Sequence, residues 1–244
     1  MDLMTRRRMM MIPKKANDSY LTFTALQANS TISMNAVGSA PSVSLEYSVD
    51  NGVNWSPFIV GTTIVTLSNI GDNVKLKGIN DRIGYTVSQY NVFNMTGEIS
   101  ASGDITSIIN GVGGDETLVG RCFMRTFYDC TQLKQAPNLP STSMGTYGYY
   151  QMFRGSGIKS CEINILTVPS NGFYQMFASC SSLNYVLTKM TDISASNCLT
   201  NWLNSAEQTG TLVCDSSLVL PSGSSGLPSG WTRMNLDGTP YVEP

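Results

Sequence analysis

Apolar and polar residues alternate one for one through much of the first hundred positions. Segments 22–26, 31–34, 43–49, 63–67 and 74–77 each place their apolar side chains on one face of an extended chain. Asp50-Asn51-Gly52, residues 69–72 and residues 78–81 supply turn chemistry between them. Short strands at such spacings predict an immunoglobulin-like β-sandwich over 19–110. Weaker alternation follows at 92–95 and 98–100, and 104–109 suits either a strand or a helical turn. Asn110-Gly111-Val112-Gly113-Gly114-Asp115 then reads as a hinge, with 111–118 a glycine-rich linker between two domains.

Beyond residue 118 the period changes. Tyr149-Tyr150-Gln151-Met152-Phe153 returns as Phe173-Tyr174-Gln175-Met176-Phe177, with a weaker copy at 123–127 and a degenerate one at 198–202. The closing aromatics fall at Phe127, Phe153, Phe177 and Trp202, spaced 26, 24 and 25 residues apart. A small-residue column follows at Cys130, Ser156, Cys180 and Ser205, then an apolar one at Leu133, Ile158 and Leu183. One residue is missing between Phe153 and Ile158, where Gly155 and Gly157 are placed to absorb the deletion. A unit this short cannot close a core alone, so neighbours must stack and share one. Each unit is expected to hold a short helix carrying the Met-Phe face, a turn, and a strand at 133–139, 158–163 or 183–190. Register with the methionines assigns Tyr149, Tyr150, Phe173 and Tyr174 to the core rather than to a sugar-binding platform. The strand residues Lys134, Gln135, Lys159, Glu162, Asn184 and Tyr185 point away from it and form a candidate ligand-facing surface.

The pattern aromatic-x-x-Met-Phe-x-x-Cys/Ser-x-x-Leu is carried by Tyr149, Tyr150, Met152, Phe153 and Ile158, then by Phe173, Tyr174, Met176, Phe177, Cys180 and Leu183. It resembles the BspA-like leucine-rich repeat over 119–205. The resemblance implies a repeat solenoid at 119–214. It also implies a setting, because such repeats occur in surface adhesins of gut Bacteroides-type bacteria and in proteins of the phages that infect them. Residues 215–244 match no repeat and are expected to cover the last unit, with Trp231 as the plug. The fold class is therefore mainly β or α+β: arm, immunoglobulin-like sandwich, short solenoid, C-terminal cap and tail.

Composition narrows the chemistry. The chain has no histidine, which removes Ser-His-Asp and Cys-His catalysis and the commonest metal ligand. None of the six cysteines is spaced C-x-x-C, so zinc and thioredoxin-type readings fail and free buried thiols are expected. No cofactor is implied. Ser48-Val49-Asp50-Asn51-Gly52-Val53-Asn54-Trp55 fits S-x-D-x-G-x-x-W and resembles the Asp-box hairpin of sialidases and other β-propellers. A propeller needs several copies and one is found, so this reads as a hairpin, with a glycan-active enzyme as the rival. Net charge of −2 gives no general affinity for nucleic acid, and no apolar run is long enough to span a bilayer.

The charge is polarised along the chain. Arg6, Arg7, Arg8, Lys14 and Lys15 surround Met9, Met10 and Met11 within residues 1–18. The apolar run at 9–12 is too short for the core of a signal peptide, so no secretion signal is expected. The arm reads either as a solvated, disordered start or as an anchor that docks into an acidic groove of a partner, methionine supplying adaptable contacts. These features together point to a non-catalytic phage virion protein, fibre or decoration, in the head or tail. Its arm would hold capsid or tail proteins, and its repeats would face a host surface protein or glycan. It would be a homo-oligomer that follows the symmetry of its attachment point. The alternatives are a bacterial cell-surface adhesin and a structural cement protein.

Overall fold

The computed structural model describes residues 19–242. The basic arm, with Arg6, Arg7, Arg8, Met9, Met10, Met11, Lys14 and Lys15, lies outside the described residues. The protein is mainly β, with a single short helix among the described residues.

The first region contains β1 (Leu21–Ala25), β2 (Ser30–Val37), β3 (Leu45–Ser48), β4 (Ser56–Pro57), β5 (Ile64–Leu67), β6 (Asn73–Gly78), β7 (Gly84–Thr86), β8 (Gln89–Thr96) and β9 (Ile99–Ser102). Two sheets result. One runs β10-β9-β1-β6-β3-β4, where β10 (Leu133–Gln135) belongs to the repeats; the other runs β5-β2-β8-β7. All pairings within this region are antiparallel. Period-two alternation explains the burial: Leu21, Phe23 and Ala25 of β1 and Ile32 and Met34 of β2 are fully inside. The sheets meet where the Phe23 and Phe93 rings contact edge to face at 5.0 Å.

Segment 104–110 resolves as the helical alternative, α1 (Ser107–Asn110). The glycine stretch after it is fastened rather than hinged. Asn110 Oδ1 accepts the amides of Val112 and Gly113, Asp104 Oδ2 accepts that of Gly114, and the Thr106 hydroxyl donates to the Gly114 carbonyl. The expected linker at 111–118 therefore separates nothing: one hydrophobic core runs from Leu21 to Trp231.

The repeats contain no helices, contrary to the expectation from their sequence. Residues 121–130, 147–156, 171–180 and 197–206 are ribbons of overlapping turns. Every fourth residue is left-handed: Arg121, Arg125, Asp129; Tyr147, Gln151, Gly155; Asn171, Gln175, Ser179; Asn197, Asn201, Ser205. Backbone accounting explains why. In the first ribbon the amides of Met124, Thr126, Tyr128 and Cys130 close turns onto the carbonyls three residues back. The alternate amides, of Arg121, Phe123, Arg125, Phe127 and Asp129, donate to Thr146, Gly148, Tyr150, Met152 and Arg154 of the next unit. A helix would consume all its amides internally, leaving units to meet through side chains alone. The ribbon spends half of them on its neighbour and satisfies buried backbone throughout.

The same ladder corrects the register of the last unit. Phe177 donates to the Trp202 carbonyl as Phe127 does to Met152 and Phe153 to Met176, so Trp202 stands in the methionine column. Leu203 takes the aromatic position and Ala206 the small one. The missing residue of the second unit falls at Gly157, where an added Cβ would lie 2.1 Å from the Thr131 carbonyl oxygen.

Each ribbon is followed by a strand shorter than expected. After β10 come β11 (Ser160–Ile163), β12 (Tyr185–Thr188), β13 (Gly210–Cys214) and β14 (Trp231–Asn235). These last four form a parallel sheet in that order. The result is a β-solenoid-like stack of about three turns.

The first region starts this stack. β10 pairs in parallel with β9, and the Phe93 amide of β8 donates to the Thr126 carbonyl, as if β8 were a preceding ribbon. The Phe93, Phe127, Phe153 and Phe177 rings stack in one column at 5.3, 5.3 and 5.9 Å. Phe123, Tyr149 and Phe173 form a second column, and Trp202 closes both. Trp231 is buried in β14 and donates its indole N–H to the Glu207 carbonyl. Arg233, also buried, donates through Nη2 to the carbonyls of Asp215 and Leu218.

Candidate binding faces of the repeat stack

The stack presents two long faces, one of strands and one of turns. On the strand face, backbone bonds align the expected residues. The Lys159 amide donates to the Lys134 carbonyl, and the Asn184 amide to that of Lys159, so these three form one column. In the adjacent column Tyr185 pairs with Ser160 on one side and Thr211 on the other. Glu162 is exposed two residues along β11, and burial together with its carboxylate raises the Tyr185 pKa. Several polar groups here already have partners. Lys134 Nζ pairs with Glu98 at 3.6 Å and donates to the Thr131 carbonyl, and Gln135 Oε1 accepts from Ser100. The structure thus brings the six residues onto one surface and shows Lys134 and Gln135 tying that surface to β9.

The turn face carries different chemistry. Tyr149 and Phe173 are fully buried, as their register implied, but Tyr150 and Tyr174 are not core residues. They sit half-buried on the outside, stacked ring on ring at 4.8 Å and 6°. The split follows the ribbon's turns, which bury Tyr149 and Phe153 but leave Tyr150 at the surface. A side-chain ladder runs beside them: Arg125 Nε donates to Gln151 Oε1 at 2.7 Å, and Gln151 Nε2 to Gln175 Oε1 at 2.5 Å. Arg125 also donates to the Val87 carbonyl. Its guanidinium lies over Tyr90 at 5.0 Å and Tyr128 at 4.8 Å; Arg154 lies over Tyr128 at 5.5 Å and Arg121 over Tyr147 at 5.1 Å. Burial raises the Tyr150 pKa, so its hydroxyl remains a hydrogen-bond donor. Composition and repeat spacing did not single out this face. The signal was present in the recurrence of Arg, Gln and Tyr one residue away from the buried columns.

The Asp50 hairpin is a structural clamp. β3 and β4 pair across it. The Ser48 hydroxyl and the Asn54 amide both donate to Asp50 Oδ1, and Asn54 Nδ2 to Oδ2. These bonds hold the Asp50 pKa down at about 2, which leaves its carboxylate ionised and occupied. Trp55 donates to the Gly52 carbonyl, packs on Tyr20 and lies under the Lys77 ammonium.

All six cysteines are free and buried. Burial raises the pKa of Cys122, Cys130 and Cys161 strongly, and that of Cys180 to about 11. Cys130 and Cys180 donate their thiols to the carbonyls of Phe93 and Phe153, at 2.9 Å each. Such thiols are unreactive packing groups. Among the described residues no cluster of His, Cys, Asp or Glu could hold a metal ion, and no helix is long and apolar enough to cross a membrane. No family model matches the chain, and no curated protein or solved structure matches it.

Proposed function

We propose that the protein is a non-catalytic structural component of a phage virion, fixed by its N-terminal arm and displaying its repeats outward for adhesion. In this reading the two-sheet region is an immunoglobulin-like sandwich, and the stack is a BspA-like leucine-rich repeat module closed by a C-terminal cap. The supporting observation is the strand order. From β1, where the arm enters, the chain proceeds through β9, β10 and the parallel sheet to β14 without a break in the shared core. At a strand spacing of about 4.8 Å, six steps carry the far end roughly 30 Å from β1. A stiff spacer of this kind holds one end at an attachment point and the other in contact with its surroundings. Capsid or tail proteins are the arm's partners, and the assembled protein follows their symmetry as a homo-oligomer.

The test compares full-length protein with a form lacking residues 1–18 for co-sedimentation with virus particles from lysed cells. Full-length protein should sediment with particles and the shortened form should stay in the supernatant. Equal sedimentation of the two forms would refute the anchor. Immunolabelling of the producing cell's own outer surface would instead favour a bacterial adhesin.

A further inference from the structure

We infer that the turn face of the repeats binds an anionic polysaccharide, a chain of sugars bearing uronic acid carboxylates or sulfate groups. This rests on the adhesion reading above and moves the contact from the strand face to the opposite one. Three of the five arginines in the described residues, Arg121, Arg125 and Arg154, lie on this face of an otherwise acidic protein. None of the three makes an ion pair with another described residue. Asp129, whose amide donates to the Arg154 carbonyl, is the acidic residue of the first ribbon. Guanidinium groups held in place by aromatic rings and by an amide ladder are pre-ordered donors for carboxylate or sulfate oxygens.

The ring arrangement selects the ligand class. Tyr150 and Tyr174 cover each other's faces, and Tyr90, Tyr128 and Tyr147 are covered by arginine. Nucleobases bind single-strand platforms by stacking on open rings, whereas the rings here are engaged by one another or by guanidinium groups. What the face offers are the phenol hydroxyls of Tyr150 and Tyr174 in adjacent units, their rings 4.8 Å apart, beside guanidinium groups from the first two units. Such a row suits a linear polymer whose hydroxyls and negative charges recur with each sugar ring. An acidic peptide would supply the charges but not the hydroxyls.

The test is affinity electrophoresis of the full chain in gels containing polygalacturonate, heparin, neutral dextran or polyglutamate. Single-stranded oligothymidylate serves as a soluble competitor. Because the arm is itself basic, all proteins are also run with Arg6, Arg7, Arg8, Lys14 and Lys15 changed to Gln. Polygalacturonate or heparin should retard the arm-neutralised protein, while dextran and polyglutamate should not. Arg121→Gln/Arg154→Gln should weaken retardation by about tenfold or more, one charge-assisted bond being worth roughly that factor. Tyr150→Phe/Tyr174→Phe should weaken it less, and Lys134→Gln/Lys159→Gln on the strand face should leave it unchanged. Circular dichroism melts confirm that each variant is folded. Several results overturn the proposal: no retardation once the arm is neutral, equal retardation by the arginine variant, or stronger competition by oligothymidylate than by free polygalacturonate. Retardation abolished only by the strand-face lysines would leave adhesion standing and move it back to that face. Unimpaired gel binding by a protein that fails to attach to host cells would sink the adhesion reading alone.

Discussion

The two-sheet region and the repeat stack solve the same problem in opposite ways. In the first, antiparallel strands satisfy one another's backbone, and side chains alternate between core and solvent at every step. In the second, each ribbon satisfies half its amides internally and half on the next unit, and side chains change sides with a period near four. An antiparallel sheet tolerates local damage because each strand has its own register. A stack passes its register from unit to unit, beginning at Phe93 and β9. The lesson is that the repeats are not an independent bead on a string; the two-sheet region serves as their first layer.

The largest effect should come from the aromatic column. Phe153→Ala in mid-stack should cost about 3–5 kcal/mol, read from the urea midpoint, and should destabilise both regions together. If near-ultraviolet and far-ultraviolet signals split into two transitions, the regions are separable. Next comes the junction. Gly84 donates to the Cys122 carbonyl, and an added Cβ would lie 2.6 Å from Met124 Cβ. Gly84→Ala should therefore cost roughly 1–3 kcal/mol through overpacking.

A smaller gain is expected inside the stack. The buried hydroxyls of Tyr149 and Ser141 face one another without meeting full hydrogen-bond geometry. Tyr149→Phe removes a poorly satisfied group and should stabilise by about 1 kcal/mol; a loss instead would mean the hydroxyl is satisfied, by Ser141 or by buried water. Smaller still is relief of backbone strain. Exposed Ser179 holds φ at 62°, so Ser179→Gly should add about 0.5 kcal/mol after the entropic cost of glycine is subtracted. The same change in β2 should only destabilise.

The last effect is pH-dependent. The Asp50 pKa is held below its ordinary value of 3.8, at about 2, by Ser48 and Asn54. Its contribution is present in full above pH 4 and is lost as pH falls through about 2. Hydrogen bonds from Ser194, Ser217 and Thr239 lower Asp192, Asp215 and Asp237 in the same direction. Urea midpoints should fall over that acid window, and the fall should be shallower in Asp50→Asn.

How far the sequence was legible follows from these physics. Most strands of the two-sheet region, the short β4 and β7 excepted, were found to within a few residues because period-two burial writes itself directly into residue type. The repeat period and the burial of Phe127, Phe153 and Phe177 were legible for the same reason. The ribbon was not. Tyr-Gln-Met-Phe carries good helix formers and no glycine at its left-handed positions, so local propensity pointed to a helix. Only hydrogen bonds to a neighbour 23 or 25 residues away select the turns, and no window of one unit contains them. The outward placement of Tyr150 and Tyr174, and with it the arginine face, was hidden by that same assumption. Trp202 was misaligned because aromatic character was matched where position in the ladder decides.

Native-state hydrogen exchange measures most directly whether the two regions are one body. Amides of Phe93, Phe127, Phe153 and Phe177 should exchange only through global unfolding, with the same free energy and denaturant dependence as Ile32 and Phe23 in the two-sheet region. Exchange of the three ribbon amides through a separate opening, at clearly lower free energy than Ile32 and Phe23, would contradict it.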